Sequence, residues 1–528
     1  MFTNASFFKN LFFFFFRLVS GNPKVLHRSF SSLYSGQTKY QRYPSLAHRT
    51  DLSSKTLVFN VEQTLLKSSS LFPYFMLVAF EAGSIFRAFL LFLLYPFVCL
   101  VDRETGLKIM VMVSFLGVKK ENFRVGRAVL PKFFLEDVGL EAFEVLKRGG
   151  KKVAVSEFPQ VMIESFLRDY LEIDIVVGRE LKSVYGYFTG VMEEKNKEIM
   201  KVSEKIISQD YNNVVGISRF NRSLDDHQLF SHCKEIYLVR ESDKRSWQEL
   251  PRDKYPNPLI FHDGRLAIKP TPLSSLALFM WLPFSLILAG IRLIAALTLP
   301  YKISIPILAF SGIRCTLSNP NNNPLKSQTN TKKGLLFVCN HRTLLDPLYL
   351  SFSLNKYFTA VTYSLSRMSE ILSPIRTVRL TRNRDKDAMM MEKLLSQGDL
   401  VVCPEGTTCR EPYLLRFSPL FAEMSEEIIP VALDTHVSMF YGTTAGGLKC
   451  LDPIFFLMNP LPSYMIQVLD QESGLLKRDD DKNGEDKSRF DVANHVQSEI
   501  GKALGFECTN LTRRDKYLIL AGNEGFTT

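Results

Sequence analysis

Two short apolar runs, each followed by a loop of polar and charged residues, constrain the fold of this chain more than any other feature. The first run covers residues 334–340 and leads into His341 and Asp346, and the second covers residues 400–403 and leads into Pro404-Glu405-Gly406-Thr407-Thr408. Short apolar runs bounded by turn signals are typical of buried strands in a parallel sheet. The carboxyl ends of such strands meet at one edge, so both loops are predicted to lie at one site of an α/β domain.

His341 and Asp346 form the pattern of a general base with a carboxylate partner. A histidine can remove the proton from a hydroxyl that attacks a thioester if a second group fixes its tautomer and stabilises the imidazolium. Residues five apart diverge on a continuous helix, so the pair requires a turn between a strand and the next helix. Pro347 disfavours the helical conformation of the residue before it, and we therefore expect Asp346 to lie in that turn, outside the helix.

The second loop and the segment before it carry groups that suit a phosphate. Gly406 permits close approach of the backbone, and the hydroxyls and amides of Thr407 and Thr408 can donate hydrogen bonds. Four guanidinium groups stand within nine residues, at Arg376, Arg379, Arg382 and Arg384. Guanidinium groups bind phosphate oxygens in a bidentate manner, although an arginine cluster is by itself more often a solvated face.

Four blocks of the sequence together resemble the acyltransferase motifs of glycerolipid synthesis. They resemble more narrowly the motifs of land-plant glycerol-3-phosphate acyltransferases that use the sn-2 hydroxyl. The blocks are residues 340–347, 377–382, 402–413 and 428–432. The resemblance extends over nearly the whole chain from about residue 50.

This resemblance implies transfer of an acyl group from acyl-CoA, as co-substrate, to the sn-2 hydroxyl of glycerol-3-phosphate, giving lysophosphatidic acid with no cofactor and no metal. It implies His341 as the general base and Asp346 as the residue that orients it. The implied acceptor-phosphate site comprises Arg379, Arg382, Glu405, Gly406, Thr407 and Thr408, and Pro430 belongs to the acyl-CoA side. Two other functions stay open, namely acylation of a lysophospholipid and a catalytically silent scaffold.

The same resemblance implies an N-terminal Rossmannoid domain related to the haloacid-dehalogenase (HAD) phosphatases, but key residues depart from that pattern. Those enzymes use an Asp nucleophile and an acid/base Asp two residues later, where this chain has Asn60 and Glu62. A carboxamide cannot form the aspartyl-phosphate intermediate. Ser156 keeps the hydroxyl of the second motif, whereas Arg219 stands where a carboxylate would bind Mg²⁺. We expect a HAD-like domain at residues 51–250 without phosphatase activity, so that the product keeps its phosphate.

Apolar segments indicate an association with membrane lipid. The hydrophobic fraction is 46% and 42 residues are Phe, more than soluble cores require. Residues 71–101 form an apolar insertion compatible with an interfacial helix or with a crossing. After a proline-punctuated linker at 251–272, prolines within residues 273–310 predict a membrane-associated helical hairpin in one leaflet. An acyltransferase α/β domain at 311–510 and a C-terminal tail at 511–528 complete the predicted organisation.

Charge and the N-terminal composition bear on partners and location. The net charge of +11 is consistent with an anionic membrane face and with phosphorylated substrates. No sequence signature of nucleic-acid binding accompanies it, so we expect no nucleic-acid partner. Residues 1–50 contain no acidic residue and a short Phe-rich core, which is typical of a mitochondrial transit peptide or of an endoplasmic-reticulum anchor. The family resemblance favours the endoplasmic reticulum.

Overall fold

The computed structural model describes a mixed α/β chain. The described residues are 39–194, 213–219, 230, 233–318, 334–362, 370, 373–381, 383–423, 427–473 and 488–524. The chain divides into two compact units. The first comprises Met1–Leu259 and Lys269–Ala277, and the second comprises Ile260–Ile268 and Leu278–Thr528. The predicted fold class is confirmed, since each unit contains a mainly parallel sheet.

The first unit contains a parallel sheet and a small hairpin. Its described strands are β1 (Lys39–Arg42), β2 (Thr56–Asn60), β3 (Lys151–Pro159), β4 (Ile175–Arg179), β5 (Leu181–Val184), β6 (Tyr187–Met192), β7 (Val214–Arg219) and β8 (Glu235–Val239). The strand order in the sheet is β1-β8-β7-β2-β3-β4, with parallel neighbours throughout, and β5 and β6 form the hairpin. All residues of β2 are buried, as expected for an inner strand of a parallel sheet.

The helices of the first unit show that the apolar insertion at 71–101 has two different parts. They are α1 (Tyr43–Ala47), α2 (Val61–Thr64), α3 (Phe72–Val78), α4 (Ile85–Leu100), α5 (Arg103–Phe115), α6 (Val125–Ala128), α7 (Leu130–Leu135), α8 (Leu140–Arg148), α9 (Gln160–Ser165) and α10 (Glu241–Ser246). Every residue of α3 is buried, so this part of the insertion belongs to the protein core. By contrast, α4 exposes large apolar side chains, including Phe86 and Leu100.

Two apolar helices occupy the segment predicted as a hairpin. They are α11 (Pro272–Thr298) and α12 (Tyr301–Phe310), and each contains an internal proline, Pro283 and Pro306. Among the described residues, α11 is the one helix whose length and composition would let it cross a membrane. A helix of 27 residues is about 40 Å long, whereas α12 is too short to span a bilayer.

The second unit holds a larger sheet around strand β10. The described strands are β9 (Arg314–Ser318), β10 (Leu336–Cys339), β11 (Thr359–Thr362), β12 (Arg376–Arg379), β13 (Leu400–Val402), β14 (Tyr413–Leu414), β15 (Glu427–His436), β16 (Ser463–Val468), β17 (Glu472–Ser473) and β18 (Glu507–Cys508). The sheet order is β12-β11-β13-β10-β15-β16-β9, with β17 beside β15, and β14 pairs with β18. Strand β10 is parallel to both neighbours, whereas β16 runs antiparallel to β15.

The remaining helices complete the second unit and include part of the predicted tail. They are α13 (Asp346–Leu354), α14 (Arg384–Leu395), α15 (Asp452–Leu457), α16 (Arg489–Leu504) and α17 (Arg513–Leu520). Residues Ile260–Ile268, in the segment predicted as a linker, also belong to this unit, and the Ala267 N–H donates to the Met439 carbonyl at 2.8 Å. The described part of the predicted tail and residues Ile260–Ile268 of the predicted linker are therefore integral parts of the second unit.

Candidate active site

The two apolar runs form adjacent strands, and their carboxyl ends bring the two predicted loops together. β10 pairs in parallel with β13, with Leu336 opposite Leu400. Several hydrogen bonds connect the loops that follow, including two made by the backbone of His341. The Cys409 N–H donates to the His341 carbonyl at 2.8 Å, and the His341 N–H donates to Glu405 Oε1 at 2.7 Å. The predicted meeting of the loops at one sheet edge is therefore what the structure shows.

His341 and Asp346 are in direct contact. His341 Nδ1 lies 2.9 Å from Asp346 Oδ2, and Asp346 is completely buried. The same carboxylate accepts the N–H groups of Arg342 at 2.6 Å and of Thr343 at 2.9 Å. It also accepts the Thr343 hydroxyl at 3.0 Å and the Tyr464 hydroxyl at 3.2 Å. These donors compensate the burial of the carboxylate and fix its orientation toward the imidazole.

The expectation that Asp346 lies outside the helix is wrong. Helix α13 begins at Asp346, and Pro347 occupies its first turn. Proline is tolerated there because the N–H that it lacks would have no intrahelical acceptor. Residues 340–345 make the turn instead, and the Asp346 side chain extends from the helix N-terminus back to that turn, where it accepts the Arg342 and Thr343 N–H groups.

The surroundings of His341 make its imidazole basic. Burial alone lowers the pKa of an imidazole, but contacts with Cys403 and Asp346 outweigh it and raise the pKa of His341 well above its ordinary value. Cys403 is itself a neutral thiol at neutral pH, because its hydrogen bond with Cys339 and its burial raise its pKa. We therefore attribute the basicity of His341 to the Asp346 carboxylate. In its unprotonated form, a more basic imidazole removes a proton from a hydroxyl more readily.

A cavity of about 180 Å³ lies at His341. Much of its wall is apolar, formed by residues such as Leu293, Ala296, Leu308, Leu348, Phe352 and Leu457. Its polar lining includes Gly406, Thr407, Thr408, Thr444, Lys449 and Tyr517. Gly406 has a φ of 65°, in the left-handed region that glycine tolerates best. Apolar walls with a few converging polar groups suit a substrate that is part hydrocarbon and part headgroup.

Glu405 does not line this cavity. Its Oε1 accepts the His341 N–H at 2.7 Å, and its Oε2 accepts the Leu415 N–H at 3.0 Å. Burial raises the pKa of Glu405, and the two N–H groups offset part of that rise, so that the resulting pKa is about 7. Glu405 thus joins the His341 turn to the neighbouring loop, and Gly406, Thr407 and Thr408 are the predicted loop residues that reach the cavity.

The arginine cluster lies at the edge of the sheet. Arg376 and Arg379 are on the edge strand β12, and an Arg379 guanidinium nitrogen lies 2.8 Å from Glu370 Oε1. Arg379 does not line the cavity that contains His341. Arg382 lies outside the described residues. A role of these arginines in phosphate binding therefore stays a prediction.

Pro430 is buried within β15, opposite Val338 of β10. Its carbonyl accepts the Leu469 N–H at 3.0 Å, so the residue takes part in the sheet. Pro430 is also absent from the residues that line the cavity. Its predicted contribution to the acyl-CoA side would have to be indirect, through the position of the strand that supports the His341 turn.

Two residues beside the site were missed by the sequence reasoning. Lys516 Nζ donates to the Thr408 carbonyl and lies 3.3 Å from Thr407 Oγ1. Lys516 stands in the run Arg-Arg-Asp-Lys, which is typical of a solvated helix, so the sequence carries no signal of its burial. The run Ser463–Val468 predicts a strand, but Tyr464, Met465 and Ile466 are three large side chains in succession, so the sequence does not show that Tyr464 faces inward and contacts Asp346.

The phosphatase-like positions of the first unit make structural contacts. Asn60 Oδ1 accepts the Gln63 N–H at 2.9 Å and thereby caps α2. Glu62 Oε1 accepts the Ser156 hydroxyl, and Glu62 is buried. Burial and the nearby Glu157 charge raise the pKa of Glu62 to about 7. The Glu62–Ser156 contact therefore joins the ends of β2 and β3, while Asn60 caps the helix that follows β2.

Arg219 ends β7, the neighbour of β2 in the same sheet. Its guanidinium lies 3.6 Å from Glu241 Oε2, so a cation already occupies this part of the edge. Within the described ranges, no group of three or more His, Cys, Asp or Glu side chains is arranged to hold a metal ion. Arg219, which pairs with Glu241, thus stands at the position where the sequence pattern predicts a Mg²⁺-binding carboxylate in an active phosphatase.

Comparisons with known proteins match both units. A family model described as "Glycerol-3-phosphate acyltransferase RAM2-like, HAD-like domain" matches residues 56–239, and an acyltransferase model matches residues 318–434. The chain is 61% identical to probable glycerol-3-phosphate acyltransferase 3 of Arabidopsis thaliana, over 99% of both proteins. It is 47% identical to glycerol-3-phosphate acyltransferase 1 of Arabidopsis thaliana, over 95% of this chain and 88% of that protein. It is 42% identical to glycerol-3-phosphate acyltransferase RAM2 of Petunia hybrida, over 89% of this chain and 97% of that protein.

Solved structures are similar to parts of the chain. The 1-acyl-sn-glycerophosphate acyltransferase PlsC of Thermotoga maritima is 14% identical, with a TM-score of 0.26, over 44% of this chain and 97% of that one. A phospho-aspartyl intermediate analogue of phosphoserine phosphatase is 15% identical, with a TM-score of 0.24, over 37% of this chain and 90% of that one. Each alignment covers less than half of the chain.

Proposed function

Because this chain belongs to the plant glycerol-3-phosphate acyltransferase family, we propose that it acylates the sn-2 hydroxyl of glycerol-3-phosphate. Acyl-CoA is the donor, no cofactor takes part, and the products are CoA and lysophosphatidic acid. The observation that carries the proposal is the His341–Asp346 pair, with 2.9 Å between Nδ1 and Oδ2, whose histidine lines a largely apolar cavity. This arrangement offers one base to a hydroxyl next to a surface that suits an acyl chain.

The reaction follows from the protonation state of His341. Asp346 contacts Nδ1, so Nε2 is the nitrogen that accepts the proton of the acceptor hydroxyl. The hydroxyl oxygen attacks the thioester carbonyl as its proton leaves, and the Asp346 carboxylate stabilises the imidazolium that forms. Collapse of the tetrahedral intermediate breaks the C–S bond, and the departing CoA thiolate takes the proton back from His341.

We further propose that the HAD-like unit has no phosphatase activity, so that lysophosphatidic acid is released with its phosphate. Asn60 lacks the carboxylate that would form an aspartyl-phosphate, and its side chain caps a helix. The carboxyl of Glu62 is engaged by Ser156, and Arg219 brings a guanidinium to the edge where Mg²⁺ would bind. The three departures act on three different requirements of the phosphatase reaction.

The proposed location is a lipid surface, at the endoplasmic reticulum rather than the mitochondrion. Side chains of α11 and α12, among them Leu293, Ala296 and Leu308, form part of the cavity wall, so the apolar helices and the proposed acyl site are continuous. Other side chains of α11, such as Phe284 and Ile287, are exposed and offer apolar surface to lipid. Imaging of a tagged full-length chain against markers of both organelles tests the compartment.

A product analysis tests the proposal. Membranes that contain the full chain are supplied with labelled acyl-CoA and glycerol-3-phosphate, and the position of the acyl group and the phosphate content of the product are determined. We expect a 2-acyl product that retains its phosphate. A 1-acyl product would refute the regiochemistry, and monoacylglycerol would refute the silent phosphatase. Transfer to lysophospholipids but not to glycerol-3-phosphate would establish the alternative acceptor class.

A further inference from the structure

Lys516 is a buried cation whose described partners are all neutral. Its Nζ donates to the Thr408 carbonyl and lies 3.3 Å from Thr407 Oγ1 and 3.1 Å from Thr408 Oγ1. Within the part of the chain that the structure describes, no carboxylate lies within ion-pair distance of this ammonium group. Burial lowers the pKa of Lys516, and the nearby Asp263 carboxylate, which itself pairs with Arg410, offsets this only in part. An anion at the Thr407 and Thr408 hydroxyls would offset the cost of that burial.

Lys449 presents a second ammonium group beside the same loop. Lys449 and Tyr517 both line the cavity with Thr407 and Thr408. Lys449 Nζ contacts the Tyr517 hydroxyl and lies 4.4 Å from the centroid of its ring. The described residues supply no carboxylate partner to Lys449 either. We call Lys449, Lys516, Thr407, Thr408 and Tyr517 together the dilysine site.

The pKa of Tyr517 reports the electrostatic field of this site. Burial alone raises the pKa of a tyrosine, yet the ammonium groups of Lys516 and Lys449 bring the pKa of Tyr517 below its ordinary value. Both lysines therefore act on one position in the cavity lining. Two cations, two hydroxyls and a phenol give the set of donors that a phosphate dianion requires.

Other charges near the cavity are already compensated. Asp452 lines the cavity, but Arg265 Nη1 lies 2.6 Å from its Oδ1, and the Thr444 N–H donates to its Oδ2 at 3.2 Å. Arg379, the predicted phosphate ligand on β12, contacts the Glu370 carboxylate. The two lysines thus differ from Arg379 in two respects. They lie beside the loop that contains Thr407 and Thr408, and their hydrogen-bond partners are neutral.

We propose that the dilysine site binds the phosphate of the acceptor and selects a phosphorylated polyol over an uncharged one. The inference rests on the proposed function and adds the residues that recognise the acceptor. Lys449 contacts the phosphate directly, while Lys516 acts through Thr407 and Thr408 and positions their hydroxyls. His341 lines the same cavity, so an acceptor held by its phosphate at this site presents a carbon-bound hydroxyl to the imidazole.

The test compares Lys449→Met and Lys449→Arg with Lys502→Met in the full-length protein. Lys502 is the matched control, because its side chain on α16 is 70% exposed and pairs with Glu499. We expect Lys449→Met to raise the KM for glycerol-3-phosphate on the order of 10- to 100-fold, the effect of losing one charge-assisted hydrogen bond. The KM for acyl-CoA should not change, Lys449→Arg should largely restore the KM for the acceptor, and Lys502→Met should match the wild type.

A binding measurement separates this inference from the proposed function. The thermal unfolding midpoint of each variant is measured with glycerol-3-phosphate and with glycerol. We expect glycerol-3-phosphate alone to raise the midpoint of the wild type and to have little effect on Lys449→Met or Lys516→Met. If both variants are stabilised like the wild type while Arg379→Gln is not, the dilysine site is refuted and the function stands. If the wild type neither uses nor binds glycerol-3-phosphate, the proposed function fails and the inference fails with it.

Discussion

The Tyr464 hydroxyl lies 3.2 Å from Asp346 Oδ1, although 118 residues separate the two in the chain. The same hydroxyl contacts Thr343 Oγ1, which itself donates to Asp346. Strand β16 therefore supplies a fixed donor to the carboxylate that faces His341. This contact makes Tyr464 a positioning residue for the proposed base.

Substitution Tyr464→Phe should lower kcat while leaving both KM values nearly unchanged. The variant keeps the ring, which stacks on Tyr349 at 4.0 Å, but removes one hydrogen bond to Asp346. A lost hydrogen bond to a charged group costs about 1.5–3 kcal/mol, and the remaining donors to Asp346 should keep the effect near the lower value, about 10-fold in kcat. Steady-state kinetics of the variant test the predicted loss of kcat. The control is Tyr185→Phe, because Tyr185 is 97% exposed. An unchanged kcat would show that Asp346 does not need this donor.

Substitution Asp346→Asn should shift the acid limb of the rate to lower pH. The Asp346 contact raises the pKa of His341, and the base must be unprotonated, so the wild-type rate falls as the pH drops through that raised value. An amide removes the opposite charge, so the pKa of His341 falls and the acid limb follows it. The rate itself should fall by about 100-fold or more, because the imidazolium loses its stabilising partner. A pH profile of kcat/KM for glycerol-3-phosphate measures both effects, and an unmoved acid limb would contradict the assignment.

Substitution Glu405→Gln should flatten the pH dependence of stability. The folded-state pKa of Glu405 is raised to about 7, above its ordinary value, so the native state holds this proton more tightly than the unfolded state does. The contribution of Glu405 to stability is therefore fully present at about pH 4 and is lost as the pH rises toward 7. The neutral amide cannot ionise. The free energy of unfolding of the variant, relative to that of the wild type, should therefore increase by up to about 3 kcal/mol between pH 5 and pH 8. Unfolding of both proteins across this range tests the sign, and a parallel pair of curves would refute it.

The double substitution Asn60→Asp and Glu62→Asp should not restore release of phosphate. It returns the nucleophile and the acid/base group, but Arg219 still brings a positive charge to the edge of the sheet where Mg²⁺ must bind. The product of the variant should therefore still carry its phosphate. Phosphate release is measured with added Mg²⁺, and appearance of monoacylglycerol would show that Arg219 does not exclude the metal.

The sequence could predict those parts of the site that depend on neighbouring residues. His341 and Asp346 are close because one turn joins them, and the two loops meet because each follows an apolar run long enough for a strand. The α/β class of both units was likewise predictable from the motifs and the apolar runs. The position of Asp346 within the helix was not predictable. Proline generally disfavours the helical conformation of the residue before it, but the first turn of a helix tolerates proline, and Pro347 lies in that turn.

Groups from distant segments could not be predicted. Lys516 and Lys449 reach the Thr407–Thr408 loop only because α17 and the segment before α15 fold against it, and neither lysine stands in an apolar pattern. The burial of α3 in the protein core could not be predicted either. Its sequence is apolar, but an apolar helix in a protein core has the same composition as one in lipid. In each case burial is decided by tertiary contacts that composition does not record.

Acyl transfer from acyl-CoA to glycerol-3-phosphate by His341→Ala tests the central claim most directly. The control is His495→Ala, which removes an exposed histidine on α16. We expect His341→Ala to lose kcat by about 1,000-fold with folding and substrate binding intact, since general-base catalysis contributes about 100- to 10,000-fold. His495→Ala should act like the wild type. A His341→Ala variant that still forms lysophosphatidic acid at a rate within about threefold of wild type would contradict the account, because loss of a general base lowers the rate by far more than that.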